Sequence, residues 1–422
     1  MDDVAASHPE AVIDRGATLP AQHPAGRAQA GMAPGINIRA GSRDDGWTVP
    51  SPVVLSDGTA LQLYKDGEAL HAVYEAIEGA RERICLEVYI FRSDPTGQAF
   101  AELLAKKALQ GVQVFVIYDS FGSLETDPAM FEQMARAGVR LGVFHPMKPW
   151  ECRYGWRPAN RDHRKLVIID DDMAGLGGLN IGGEYAGSWV VPSKQMRTPW
   201  RDNAVGIRGP SARLLLIPFA RTWRYVEHGG KLSSLALFHH VQEGEFGVLA
   251  SVPTRHSPLT PLRRMFGEAR RSILMTMSYF APPDDLIDEL CRAAHRGVQV
   301  RLMLPGEIDV HILLTAARAF YEKLLSAGIE IYERQGAVLH AKTMCIDGHT
   351  TVLGSTNLDY RSIEYNCELS VIIRSDRFGA QMHDLFNNDI RYAKRISLAE
   401  WRRRPTYDRL VQWAVMRARY LL

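Results

Sequence analysis

The sequence has no run of about 18 apolar residues, so no helix long and apolar enough to span a bilayer is expected. It is also poor in cysteine. Its five (Cys85, Cys152, Cys291, Cys345 and Cys367) are odd in number and include no C-x-x-C pair. That spacing excludes a disulfide framework and an ordinary zinc site, leaving thiols of a reducing compartment. Excess charge is missing too: 50 Lys and Arg stand against 48 Asp and Glu, a net of +2. A protein that coats nucleic acid carries a larger basic surplus, so no nucleic-acid partner is expected. The short period of a solenoid is absent. Residues 1–51, rich in Ala, Gly, Pro, Asp and Arg, lack the apolar stretch of a secretory signal and are expected to be disordered.

What is present is a duplicated motif. NRDHRKLVIIDDDMAGLGGLN contains His163, Lys165, Asp170, Gly177, Gly178 and Asn180. LHAKTMCIDGHTTVLGSTN contains His340, Lys342, Asp347, Gly354, Ser355 and Asn357, each 177 residues after its counterpart. The likeness extends further. ARERICLEVYIF resembles ARRSILMTMSYF, and GVQVFVIYD resembles GVQVRLMLP. Segments with helical periodicity, such as ALHAVYEAIEGA, alternate with buried apolar runs such as RICLEVYIF. This alternation predicts an α/β fold of two homologous domains, 52–240 and 241–400. Each would be a mixed sheet flanked by helices, and a pseudo-twofold axis would bring both motifs to one interface.

Within each motif, read as a strand, His and Lys two residues apart point to one side. Asp170 and Asp347 are grouped with the histidines and lysines as catalytic motif residues, although they close the strand at a turn, and Asp347-Gly348 is a strong hairpin signal. The return strand brings Gly178 and Asn180, or Ser355 and Asn357, back beside the histidine. Paired lysines and asparagines suit the anionic oxygens of a phosphoryl group. Protonated lysine is a poor metal ligand, so no metal and no cofactor are expected. One histidine can attack phosphorus while the other protonates the leaving oxygen.

Both motifs resemble the HKD signature of the phospholipase D superfamily. The strings LEVYIF, NRDHRK, GGLNIGGEY, WRDNAVGIRGP and GSTNLDYRSIEYNCELSVII resemble bacterial cardiolipin synthases of the shorter subtype, without N-terminal membrane helices. The resemblance implies transfer of a phosphatidyl group from phosphatidylglycerol to a second phospholipid alcohol through a phosphohistidine. It also implies that a downstream acid orients each histidine: Asp202 after the first motif and Glu368 after the second. His163 is expected as nucleophile, with Arg164 helping to keep it neutral, and His340 as acid with support from Glu368. Two rivals stay open: a hydrolase of the same superfamily (a phospholipase D or nuclease) and a non-enzymatic lipid-binding descendant.

The periphery suggests an anionic membrane surface as partner, with the protein attached peripherally on the cytoplasmic side. WECRYGWRP mixes Trp150, Tyr154 and Trp156 with arginines, either at a lipid interface or as core anchors. Residues 401–422 read as a basic amphipathic helix with Leu410, Val411, Ala414, Val415, Ala418, Leu421 and Leu422 on one stripe. Such a helix either lies on a membrane or docks on the protein body. His239, His240, His295 and His311 carry no site expectation, and the sequence fixes no oligomeric state.

Overall fold

The computed structural model describes residues 46–153, 156–186, 200–239, 244–253 and 259–418. The expected disordered segment falls almost wholly outside this range, as do Tyr154, His240, Leu421 and Leu422.

The first sheet contains β1 (Val53–Val54), β2 (Ala60–Lys65), β3 (Arg83–Val88), β4 (Gln113–Asp119), β5 (Arg140–Phe144), β7 (Leu166–Ile169), β8 (Met173–Gly177) and β10 (Asn203–Arg208). Their order is β1-β2-β10-β8-β7-β3-β4-β5. Between them run β6 (Arg161–Asp162) and β9 (Trp200–Arg201). The second half supplies β11 (Leu237–His239), β12 (Phe246–Ser251), β13 (Ser272–Met277), β14 (Gln299–Pro305) and β15 (Glu330–Arg334). It continues with β16 (Val338–Leu339), β17 (Lys342–Ile346), β18 (Thr350–Gly354), β19 (Asn366–Arg374) and β20 (Ala393–Arg395). The second sheet runs β11-β12-β19-β18-β17-β13-β14-β15-β20, repeating the first order with one added edge strand. In both halves the three strands β3-β4-β5 and β13-β14-β15 are parallel and the motif hairpins are antiparallel.

The strands are apolar on both sides because both sides are covered. Along β3, Ile84, Leu86 and Val88 enter an outer core under α1 (Glu68–Gly79), α2 (Pro95–Leu109) and α3 (Pro128–Arg136). Cys85 points the other way, into a core shared by both halves, with Leu166, Val205, Val248, Leu353 and Val371. The two sheets thus pack face to face, and two helices, Leu216–His228 with Phe219 and Trp223 and Asp376–Ile390 with Met382 and Phe386, also enter this shared core. The second outer core lies under α5 (Leu259–Glu268), α6 (Asp284–His295) and α7 (His311–Ala319), with α4 (Leu216–His228) belonging to the first half.

Two short parallel pairings cross between the halves. β6, just before His163, pairs with the start of β19, just before Glu368. β16, just before His340, pairs with β9, just before Asp202.

The C-terminal segment is a short helix, Leu398–Arg402, and then α9 (Thr406–Ala418), counting α8 as Asp376–Ile390. α9 is docked on the body. Gln412 is buried and accepts from Arg404 Nε at 3.2 Å, while Arg404 Nη1 lies 3.1 Å from Glu322. Met416 packs on the second outer core. The predicted stripe is therefore rotated. Val411 and Val415 are half-buried, whereas Leu410 is exposed with Tyr407 and Trp413 on the outer side. In the aromatic segment, Trp156 stacks on His145 at 4.8 Å and Trp150 stands exposed. Among the described residues no helix is long and apolar enough to cross a membrane.

Candidate active site

The crossed pairings decide the geometry. His163 N donates to Cys367 O at 2.9 Å, and His340 N donates to Arg201 O at 2.8 Å. Each histidine is thereby laid beside an acid from the opposite half. His163 Nδ1 is 3.0 Å and 3.1 Å from the two oxygens of Glu368. His340 Nδ1 is 2.7 Å from Asp202 Oδ2. Sequence order had paired each histidine with the acid next downstream, Asp202 with His163 and Glu368 with His340. The structure exchanges the partners, because β6·β19 and β9·β16 bring together strands that sequence order separates. A carboxylate on Nδ1 fixes the tautomer and leaves Nε2 as the free ring nitrogen.

The carboxylates are held in turn. Glu368 accepts from Ser355 Oγ and, at 3.3 Å, from Asn366 Nδ2. Asp202 accepts from Asn203 N at 2.8 Å. Gly178 occupies the position of Ser355 in the first motif. A Cβ there would lie 2.3 Å from Asp202 Oδ1, so only glycine leaves space for this acid.

Lys165 Nζ donates to His163 O at 2.5 Å, and Lys342 Nζ donates to His340 O. All four motif side chains are buried. Burial, then Lys165 and Lys342, holds His163 well below the ordinary histidine range; Arg361 adds to this. Burial and the same two lysines act on His340. Burial pushes Lys165 down to about 7 and Lys342 to about 8, and pushes Asp202 and Glu368 up to about 7.

Arg164 does not play the part expected of it. It points to the opposite side of the strand, fully buried, where Nη1 donates to Thr222 Oγ1 at 2.8 Å and faces Glu87 at 3.7 Å. The cationic field on His163 comes instead from the two lysines and Arg361.

Asp170 and Asp347 are not brought to the site. Each sits at the far end of its hairpin with left-handed φ, 49° and 56°. Seven residues of extended chain separate each from its histidine, roughly 20 Å. Asp170 accepts from the backbone N–H groups of Arg81, Glu82 and Arg83 at 2.8–2.9 Å. Asp347 accepts from those of Arg270, Arg271 and Ser272. They tie the hairpin to the preceding strand. Asn180 is also partly committed: Oδ1 accepts from Ile90 N at 3.1 Å and Nδ2 donates to Tyr185 Oη at 2.8 Å. Asn357 Oδ1 accepts from Ser278 Oγ at 2.6 Å.

Aromatic walls were not anticipated from sequence. Tyr89 meets His163 edge-on at 5.0 Å, and Lys165 lies over its ring at 5.2 Å. Tyr185 and Trp200 flank His340 at 5.5 Å and 4.8 Å. A signal existed: Tyr89 sits in LEVYIF, Tyr185 five residues beyond Asn180, and Trp200 two before Asp202.

Among the described residues no three His, Cys, Asp or Glu side chains cluster as a metal site. The arrangement presents two orientable imidazoles and two lysine amines in a buried site. That set suits in-line displacement at an anionic phosphorus centre.

The family model for "Cardiolipin synthase, PLD-like domain" matches residues 73–186 and 262–390. A cardiolipin synthase of Geobacillus thermodenitrificans is 33% identical over 368 residues, covering 86% of this chain and 72% of its own. Cardiolipin synthase A of Pseudomonas putida is 32% identical over 351 residues, covering 81% and 71%. Among solved structures, phosphatidylserine synthase of Haemophilus influenzae superposes with a TM-score of 0.65 at 14% identity, covering 88% of this chain and 97% of its own. That last likeness is one of fold.

Proposed function

Since the chain belongs to the cardiolipin synthase, phospholipase D-like family, and is a phosphatidyltransferase on that ground, we propose that it makes cardiolipin from two phosphatidylglycerols through a phosphohistidine. The observation that carries this reading is the pair of buried histidines, each held at Nδ1 by a carboxylate of the opposite half, with Lys165 and Lys342 close enough to act on both.

In the first step His163 Nε2 attacks phosphorus, and the bond from phosphorus to the glycerol oxygen breaks. That oxygen takes the proton of His340 Nε2 and glycerol leaves. In the second, the free hydroxyl of another phosphatidylglycerol gives its proton to His340 and its oxygen attacks phosphorus, releasing His163. Burial and the two lysines favour the neutral form of both imidazoles. A phosphodiester anion beside Lys165 and Lys342 offsets their field, which lets His340 hold a proton when substrate is bound. Choosing His163 as nucleophile follows the family resemblance. The protein would act peripherally at the cytoplasmic face of an anionic membrane.

Purified protein incubated with phosphatidylglycerol alone, followed by mass spectrometry of the lipids, tests the reading. Cardiolipin and glycerol are expected in equal amounts. Phosphatidic acid as the main product would make the protein a hydrolase instead.

A further inference from the structure

The first half contains an apolar cavity of about 680 Å³ between α1 and the outer side of its sheet. Its inner end is bounded by Lys165, Leu179 and Ile181, beside the candidate active site, and its outer end by Met173 and Arg208. Lys165 shares a strand face with Val167 and Ile169, which also line the cavity. Four residue steps from Lys165 to Ile169 make that wall about 13 Å long. The other charged residues in the lining are Glu87, paired across the sheet with Leu166 next to Lys165, and Glu75 on the exposed rim. The space is thus an apolar channel that starts at the phosphate-binding lysine.

The second half shows how the same fold looks when this space is filled. Gly175 and Gly206 face each other across β8 and β10; Val352 and Ile372 face each other at the matching place across β18 and β19. On the covering helix, Val73 and Ala76 of α1 correspond to Leu262 and Met265 of α5, at the 189-residue spacing of the two ARER/ARRS segments. Leu262, Val352 and Ile372 are buried in the second outer core, and Met265 packs on it. All four positions are smaller in the first half, although Tyr64 takes part of the room beside Gly206, where a Cβ would come within 3.0 Å of its ring. Paired glycines weaken a sheet, and an unfilled apolar void destabilises a fold, so the space has a cost that an occupant offsets.

Resting on the phosphatidyl-transfer reading, we propose that this cavity holds one acyl chain of the lipid whose phosphate lies between Lys165 and Lys342. The chemistry asks for such a grip. When glycerol leaves, the phosphatidyl group stays on the protein until the second alcohol arrives. A chain seated in the body keeps it in register and out of the bilayer.

The test compares wild type, Ala76→Phe, and the double variant Val73→Leu/Ala76→Met, which copies the second half. The readout is the ratio of kcat/KM for dipalmitoyl over dihexanoyl phosphatidylglycerol in the same detergent micelles. A ratio cancels any general loss, and thermal melts check folding. Filling the space should lower the ratio at least about tenfold in Ala76→Phe, since each methylene is worth roughly fourfold in transfer from water. The double variant should fall between. An equal ratio in all three folded proteins overturns the proposal. If Ala76→Phe does not fold, the double variant decides, because its side chains already fit this fold in the second half. Wild type that turns over neither lipid defeats the transferase reading alone. Retention of dipalmitoyl phosphatidylglycerol in native mass spectra, lost in the filled variants, then still decides the cavity.

Discussion

Glycine faces glycine across β8 and β10 in the first half, where valine faces isoleucine across β18 and β19 in the second. At the site the contrast is repeated on a smaller scale. Gly178 withdraws so that Asp202 can approach His340, whereas Ser355 donates a hydrogen bond to the longer Glu368 behind His163. Strand order, motif spacing and crossed carboxylates are common to both halves. What differs is bulk: the second half carries larger side chains at positions where the first keeps room. A duplicated fold can therefore hold its chemistry symmetric while its packing diverges, because the motif residues depend on strand ends and the packing residues on strand faces.

The comparison is broken most severely at the histidines. His163→Ala should lose activity by about 10⁴-fold or more and form no covalent adduct with labelled phosphatidylglycerol. His340→Ala should lose about 10²- to 10⁴-fold, yet still form the adduct with a donor whose leaving group needs no proton. Rapid quench and peptide mapping read this, and phosphate found on His340 would reverse the roles.

Next come the acids, which test the crossing itself. Glu368→Gln should slow adduct formation on His163, and Asp202→Asn should slow release of a poor leaving group, each by roughly 10²-fold or more. Single-turnover rates with good and poor leaving groups separate the two. The opposite assignment would mean that the crossing does not operate in turnover.

Acidity gives a gentler test. As pH falls below about 7, Glu368 and Asp202 take protons and cease to orient their histidines. As it rises past about 8, Lys342 loses its charge, with Lys165 already titrating at about 7. The pH profile of kcat/KM should therefore be a narrow bell, falling about tenfold per unit on its limbs. A flat profile from pH 6 to 9 would contradict the burial of these groups.

Asp170→Ala and Asp347→Ala should leave the chemical step intact while costing about 1–3 kcal/mol of stability, since backbone donors lose their acceptor. Denaturant unfolding and single-turnover rates on folded protein measure both. Burial alone would raise these carboxyls, but the backbone N–H groups outweigh it and hold them below the ordinary value. Their contribution is therefore present above the ordinary carboxylate pKa and lost as pH falls through the lower folded value. The smallest effect concerns α9, for which the first half has no counterpart. Leu410→Glu with Trp413→Glu, both on its outer side, should weaken sedimentation with anionic liposomes several-fold without lowering the melting temperature. Unchanged sedimentation would remove α9 from membrane contact.

Much of this was readable in the sequence. The 177-residue spacing gave two halves, the alternation of periods gave the α/β layers, and the turn-forming Asp170 and Asp347 marked the ends of the hairpins. The crossing was not readable, because β6 and β9 are two residues each and leave no periodic trace. Linear order then suggested the wrong partner for each histidine. The small residues Val73, Ala76, Gly175 and Gly206 were visible as letters, but only the fold shows that they line one cavity. On α9 periodicity located a stripe, yet the docked side includes Gln412, chosen by its bond to Arg404 rather than by hydropathy.

The separation of His163 from Glu368 by 205 residues sets a clock on synthesis. At roughly 5–20 residues per second, the ribosome delivers the partner acid about 10 to 40 s after the histidine. During that interval the nascent first half can close β3, β4, β5, β7 and β8 around its own core, while its imidazole has neither its acid nor the second lysine. The chain thus stays chemically silent until β19 emerges.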